Sequence, residues 1–167
     1  MRPHDHPLPE SHELMALQSF IAESRYHFLR SDLDVSKPID ASDLIGESAR
    51  RLGETGSARE KQWLSEVSEE NTYNVVLWYA SSSAPYYATD GLMARHGQGH
   101  RPTMISTADR PDGHVLRGIF ARLGYDLDVA PVLVIGGEPI HATAEAMDEL
   151  RSSGQLTDKL AAIGWRV

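Results

Sequence analysis

Asn74-Val75-Val76-Leu77-Trp78-Tyr79-Ala80-Ser81-Ser82-Ser83-Ala84-Pro85-Tyr86-Tyr87 carries the fold in one stretch. Val75 to Tyr79 is an unbroken apolar and aromatic run, the pattern of a strand covered on both faces of a sheet. Three serines follow as a loop. Pro85 suits the first turn of a helix, where its missing N–H costs nothing, and that helix would carry Leu92, Met93 and His96 to Gly97.

Downstream, Arg101 to Ser106 predicts a second strand. Val115, Leu116, Ile119, Phe120 and Leu123 then repeat at helical spacing, with Gly124 at the stop. Pro131-Val132-Leu133-Val134-Ile135 predicts a third strand, and Gly136-Gly137 a tight turn into Glu138-Pro139-Ile140. Thr143 is placed to cap a last helix through Met147 and Leu150. Gly154 interrupts that helix, and Leu156, Leu160 and Ile163 continue its apolar stripe. The order is βαβαββα. The first two strands should run parallel through a right-handed crossover and the last two antiparallel through the turn.

Upstream of Tyr73 the pattern is helical. Ser11 could cap a helix running to about Arg30, with Leu14, Leu17, Ile21 and Phe28 on one face. Ser36-Lys37-Pro38 breaks the chain. Asp40 or Ser42 opens a short helix through Leu44, Ile45, Ala49 and Leu52, which Gly53 ends. Ser57-Ala58-Arg59-Glu60 fits a capping box ahead of Trp63, Leu64 and Val67. Residues 1–72 thus divide from 73–167 as a tail with amphipathic helices followed by an α/β domain with a mixed four-stranded sheet.

Composition narrows the function classes. The 167 residues, 41% hydrophobic and 24% charged, are ordinary for a globular protein. A formal net charge of −8 argues against nucleic acid, whose binding needs a basic footprint, and against an anionic membrane surface. No apolar stretch approaches the ~18 residues needed to span a bilayer, so a soluble intracellular protein is expected, cytoplasmic or in an organelle matrix. There is no cysteine, which removes disulfides, thiolate metal sites and thiol chemistry. His4, His6, His12, His96, His100, His114 and His141 show no tight ligand spacing, and no metal is expected. The acid pairs Glu69-Glu70 and Asp126 with Asp128 are expected on the surface rather than in an acid/base pair.

From about Asn74 to Trp165 the chain resembles the glutaredoxins, in element order as well as in motifs. The segment after the first strand is similar to their Cys-Pro-Tyr-Cys loop, with Ala84 and Tyr87 at the two cysteine positions. Val129-Ala130-Pro131 stands where the family has Thr-Val-Pro with a cis proline. Val132 to Ile140 resembles its strand-turn-strand hairpin, and Ser152-Ser153-Gly154-Gln155-Leu156 its Glu-Ser-Gly-Glu-Leu stretch. The resemblance implies a thioredoxin fold. The helices of 1–72 have no counterpart in it.

What the family does, this chain cannot do by the same means. Thiol–disulfide exchange and cluster anchoring both need the thiolate at the helix start, and Ala84 has no atom for either. The resemblance implies a degenerate glutathione site. Ser81 replaces the family's lysine, and Val129 would still lend its backbone to a peptide. His141-Ala142-Thr143-Ala144-Glu145 stands where the family has Gly-Gly followed by acids. The alternatives are glutathione or another anion at the Thr143 helix start, or transferase-like chemistry from the hydroxyls of Ser81, Ser82, Ser83, Tyr86 or Tyr87. The favoured expectation is a redox-inactive binding or structural module, more an adaptor than an enzyme, holding a protein partner at a groove framed by Pro85, Tyr86, Tyr87, Ala130 and Pro131. Aromatic residues there would make good interface anchors.

Overall fold

The structure, a computed structural model, describes residues 8, 10–23, 27–44, 58–80 and 102–165. The chain divides into two compact units, Met1–Asn71 and Thr72–Val167.

The first unit is helical: α1 (Glu10–Glu23), α2 (Ala41–Leu44) and α3 (Ala58–Asn71). Leu14, Ala16, Leu17, Leu44 and Val67 are its buried apolar side chains on these helices. Polar groups are buried with them. Glu13, fully buried, accepts a hydrogen bond from the Ile39 N–H at 2.9 Å. Asn71 at the end of α3 is 1% exposed. Its Nδ2 donates to the Val67 carbonyl (2.8 Å), Ser19 Oγ (2.9 Å) and the Met15 carbonyl (3.2 Å), while its Oδ1 accepts from Gln18 Nε2 (2.8 Å). One side chain thereby ties α3 to α1 through three contacts and bonds back within its own helix through the fourth.

The first helix is shorter than its apolar spacing predicts. It ends at Glu23, and residues 27–30 are irregular rather than helical. The reason is local: the His27 ring folds back onto Phe20, centroids 5.0 Å apart, with Nδ1 3.0 Å from the Phe20 carbonyl oxygen. A side chain thus serves one of the carbonyls that every helix leaves open at its end. Phe28, expected on the buried stripe, is 42% exposed. Asp34 closes the next turn, its Oδ1 accepting from Ser36 Oγ (2.6 Å) and the Ser36 N–H (3.0 Å). The Ser36 hydroxyl, then its N–H, hold the Asp34 carboxyl below its usual range. Ile45, Ala49, Leu52, Gly53 and the expected cap Ser57 lie outside the described residues.

The second unit is α/β. Its strands are β1 (Val75–Tyr79), β2 (Thr103–Ser106), β3 (Val132–Ile135) and β4 (Glu138–His141), and its described helices α4 (Gly113–Arg122), α5 (Ala144–Ser152) and α6 (Gln155–Ala162). They form one open mixed sheet in the order β2-β1-β3-β4. As the element order predicts, β1 and β2 are parallel and β3 and β4 antiparallel; β1 also pairs antiparallel with β3. The predicted helix between β1 and β2 lies outside the described residues.

The burial of each strand follows its place in the sheet. In central β1 and β3, Val75 to Trp78 and Val132 to Ile135 are buried on both faces, whereas β2 and β4 at the edges are largely exposed or half-buried. On one face Val75, Leu77, Leu133 and Ile135 pack with Met147 of α5, Leu156 and Leu160 of α6, and Trp165. On the other face Trp78, fully buried, meets Phe120 of α4 at 5.0 Å between ring centroids.

The turns obey simple stereochemistry. Gly136 and Gly137, with φ of 58° and 87°, are both left-handed, which is what a two-residue type I′ hairpin turn requires. At the end of α4 the Tyr125 N–H donates to the Phe120 carbonyl and the Gly124 N–H to the Ala121 carbonyl. These are the two bonds of a Schellman stop. On β4 the register pairs Pro139 with Val134. The Ala142 N–H donating to the Pro131 carbonyl sets the alternation, so the backbone of Pro139 faces away from β3.

Candidate functional site

One end of the sheet gathers the described residues of the predicted groove. The pair Trp78↔Val132 brings the carboxyl end of β1 beside the start of β3, and Val132↔His141 places the end of β4 next to it. The Ala142 N–H reaches the Pro131 carbonyl at 2.9 Å. Two stretches twelve positions apart along the chain, 129–131 and 141–143, therefore meet across the hairpin. Ser81, Ser82, Ser83, Ala84, Pro85, Tyr86 and Tyr87 lie outside the described residues.

Val129 is 69% exposed, whereas Ala130 and Pro131 are buried. Contrary to expectation, the Ala130–Pro131 peptide bond is trans, as are all described peptide bonds. An X–Pro bond prefers trans by only about 0.5–1 kcal/mol, so the surroundings decide. Here the Val129 and Ala130 N–H groups both donate to the Asp126 carbonyl (3.1 Å each), while the Asp128 N–H donates to Asp126 Oδ1 (3.0 Å). This tight turn delivers the chain straight into β3. It also uses the N–H that Val129 would need to lend a bound peptide.

His141 is half-buried on β4, and its ring stands edge-on to Tyr125 at 6.0 Å. Tyr125 in turn meets Phe120 at 6.4 Å and Phe120 meets Trp78, a row of rings along the α4 face. The Nε2 of His141 is buried and makes no hydrogen bond among the described residues. Thr143 caps α5 as its sequence position predicts, with Oγ1 accepting from the Ala146 N–H at 3.1 Å. Glu145 is exposed in the first turn, where a carboxylate complements the helix dipole. Thr143→Ala should lower unfolding stability by about 1 kcal/mol, measured as a shift in urea midpoint, and Thr143→Ser should lose little.

A polar cluster next to this end was not foreseen. Thr107, 1% exposed, extends the β1–β2 pairing: its N–H (2.9 Å) and its hydroxyl (3.3 Å) both donate to the Tyr79 carbonyl. The Gly113 N–H then donates to the Arg110 carbonyl (3.1 Å), closing a turn over Arg110-Pro111-Asp112-Gly113. Asp112 precedes α4, yet its side chain does not cap the helix. The carboxylate instead takes Arg110 in two bonds, Nε to Oδ1 at 2.9 Å and Nη2 to Oδ2 at 3.1 Å, with side-chain exposures of 12% and 1%. Two parallel charge-assisted bonds are the strong form of this pair. A Pro-Asp-Gly run is a turn signal with Pro at the second position, so the turn was legible although the buried pair was not.

Among the described residues no group of three or more His, Asp or Glu side chains is placed to hold a metal ion, and no helix is long and apolar enough to cross a membrane. Comparison with protein families, with curated proteins and with solved structures gives no match.

Proposed function

We propose that residues 73–167 form a glutaredoxin-like domain with a thioredoxin-like sheet, which has no thiol chemistry and serves as a binding module for a protein partner. The observation that carries this reading is the sheet itself. The reading is supported by β1 parallel to β2 and β3 antiparallel to β4 in a mixed four-stranded sheet, in a chain without cysteine. The helices α4 on one face and α5 with α6 on the other are consistent with it. With the Val129 and Ala130 N–H groups engaged in their own turn, the partner would be met by side chains around exposed Val129 rather than by a backbone edge.

Titration calorimetry with reduced glutathione, on the natural chain and on Ala84→Cys, tests the first half of the proposal. Neither protein should bind. Binding to the natural chain in the micromolar to low-millimolar range would make this a small-molecule site and overturn the adaptor reading. Binding by the cysteine variant alone would show a retained glutathione site silenced at one atom, and would overturn the claim that the groove now serves a protein. The second half is tested by a photo-reactive side chain at position 129. It should give a discrete adduct with one cellular protein, and the same group at exposed position 149 should not. Equal adducts from both positions would refute it.

A further inference from the structure

We propose that the helical unit binds a basic segment of a protein partner, which inserts one arginine or lysine side chain between α1, α2 and α3. A cavity of about 310 Å³ opens there, the low end of the size range of ligand sites and enough for a single long side chain. Its apolar walls are Phe20 of α1, Leu44 of α2, and Trp63 and Val67 of α3. Leu44 and Val67 are buried, while Phe20 and Trp63 remain half-exposed. Such walls suit the methylene stem of a basic side chain, and an aromatic face suits its charged head.

The described rim is acidic. Glu23, Glu66 and Glu70 contribute to the lining, all three exposed, and no described lining residue is basic. The helix ends add to the same field. Both α1 and α3 end close to this cavity, and neither carries a basic residue in its last turn. Their last carbonyls add negative partial charge, apart from that of Phe20, which His27 Nδ1 meets at 3.0 Å; the same nitrogen lies 4.0 Å from the Glu23 carboxylate. A mixed cleft with Phe20, Leu44, Trp63 and Val67 in its walls and three exposed carboxylates on its rim is complementary to a cation on an apolar stem. It repels an acidic or phosphorylated segment. This proposal stands apart from the reading of the sheet unit.

The test uses the full chain, an amphipathic Arg/Leu peptide and its Glu/Leu counterpart, followed by amide and indole shifts in NMR titrations. The basic peptide should move the signals of Ser19, Phe20, Trp63 and Val67, and the acidic peptide should move none. Glu66→Gln combined with Glu70→Gln, both on exposed positions, should weaken binding about fivefold to tenfold. Glu149→Gln combined with Asp158→Asn removes the same net charge elsewhere and should change it less than about twofold. Equal losses in the two double variants, shifts centred outside this cavity, or no binding would each overturn the proposal. So would concentration-dependent shifts of the same signals without peptide, which would make a second copy of the chain the occupant.

Discussion

Replacing Gly113 by alanine should cost the sheet unit about 2–4 kcal/mol, although the residue sits in the first turn of a helix where alanine is ordinarily preferred. A methyl group there would stand 1.8 Å from the Thr107 carbonyl oxygen and 2.9 Å from its carbon, with Arg117 Nη1 at 3.2 Å. The nearest obstacle is backbone, so no rotamer change relieves it. Either α4 moves off the sheet or Thr107 moves, and Thr107 holds two bonds to the Tyr79 carbonyl. Helix propensity would return at most about 1 kcal/mol. Gly124→Ala is the informative comparison. No atom lies within 4 Å of its added methyl, but φ is +96°, so the penalty is conformational, about 1–2 kcal/mol. Urea midpoints should rank natural chain above Gly124→Ala above Gly113→Ala. A neutral or stabilising Gly113→Ala would mean that the 107–113 turn is not packed as described.

The second large effect belongs to the helical unit. Asn71→Leu keeps the volume and removes all four polar contacts of a side chain that is 1% exposed. The Gln18 amide, 4% exposed, then loses the acceptor 2.8 Å away. Stripping one partner from a buried pair costs more than never having had the pair, and about 2–4 kcal/mol is expected. The same reasoning predicts partial rescue. Gln18→Leu with Asn71→Leu should be less destabilised than the sum of the single changes, because both halves of the bond go together. Strict additivity in a double-mutant cycle, read from urea unfolding, would show that Gln18 and Asn71 are not coupled.

Which parts of this architecture could be read in advance depends on how local their causes are. Val75 to Tyr79 and Val132 to Ile135 announced central strands because continuous apolar runs need cover on two sides. Gly136-Gly137 announced its turn and Thr143 its cap through stereochemistry that needs no distant partner. The misjudged features turn on which side chain or N–H meets which carbonyl, a choice the apolar pattern does not encode. The end of α1 depends on the His27 ring returning to Phe20, and the Ala130–Pro131 isomer on the turn closed by Asp126. Asn71 carries no sequence signal of its role. Its burial arises only when α1 lies across it. Of the candidate site, the meeting of 129–131 with 141–143 follows from the hairpin predicted at Gly136-Gly137, while the Arg110–Asp112 pair needed a fold around it before it could matter.

Pro139 has one more consequence. A sheet that stops at a fourth strand leaves a row of backbone groups able to recruit another molecule, and crowded or partly unfolded chains associate along such rows. On β4 the outward position at Pro139 has a ring where an N–H would be, and the outward carbonyl of His141 is already taken by the Thr143 N–H at 3.0 Å. A foreign strand laid along this side would find neither that donor nor that acceptor available. The hairpin therefore ends the sheet chemically as well as geometrically, and growth of fibrils or edge-to-edge oligomers through β4 is disfavoured from the moment the hairpin closes.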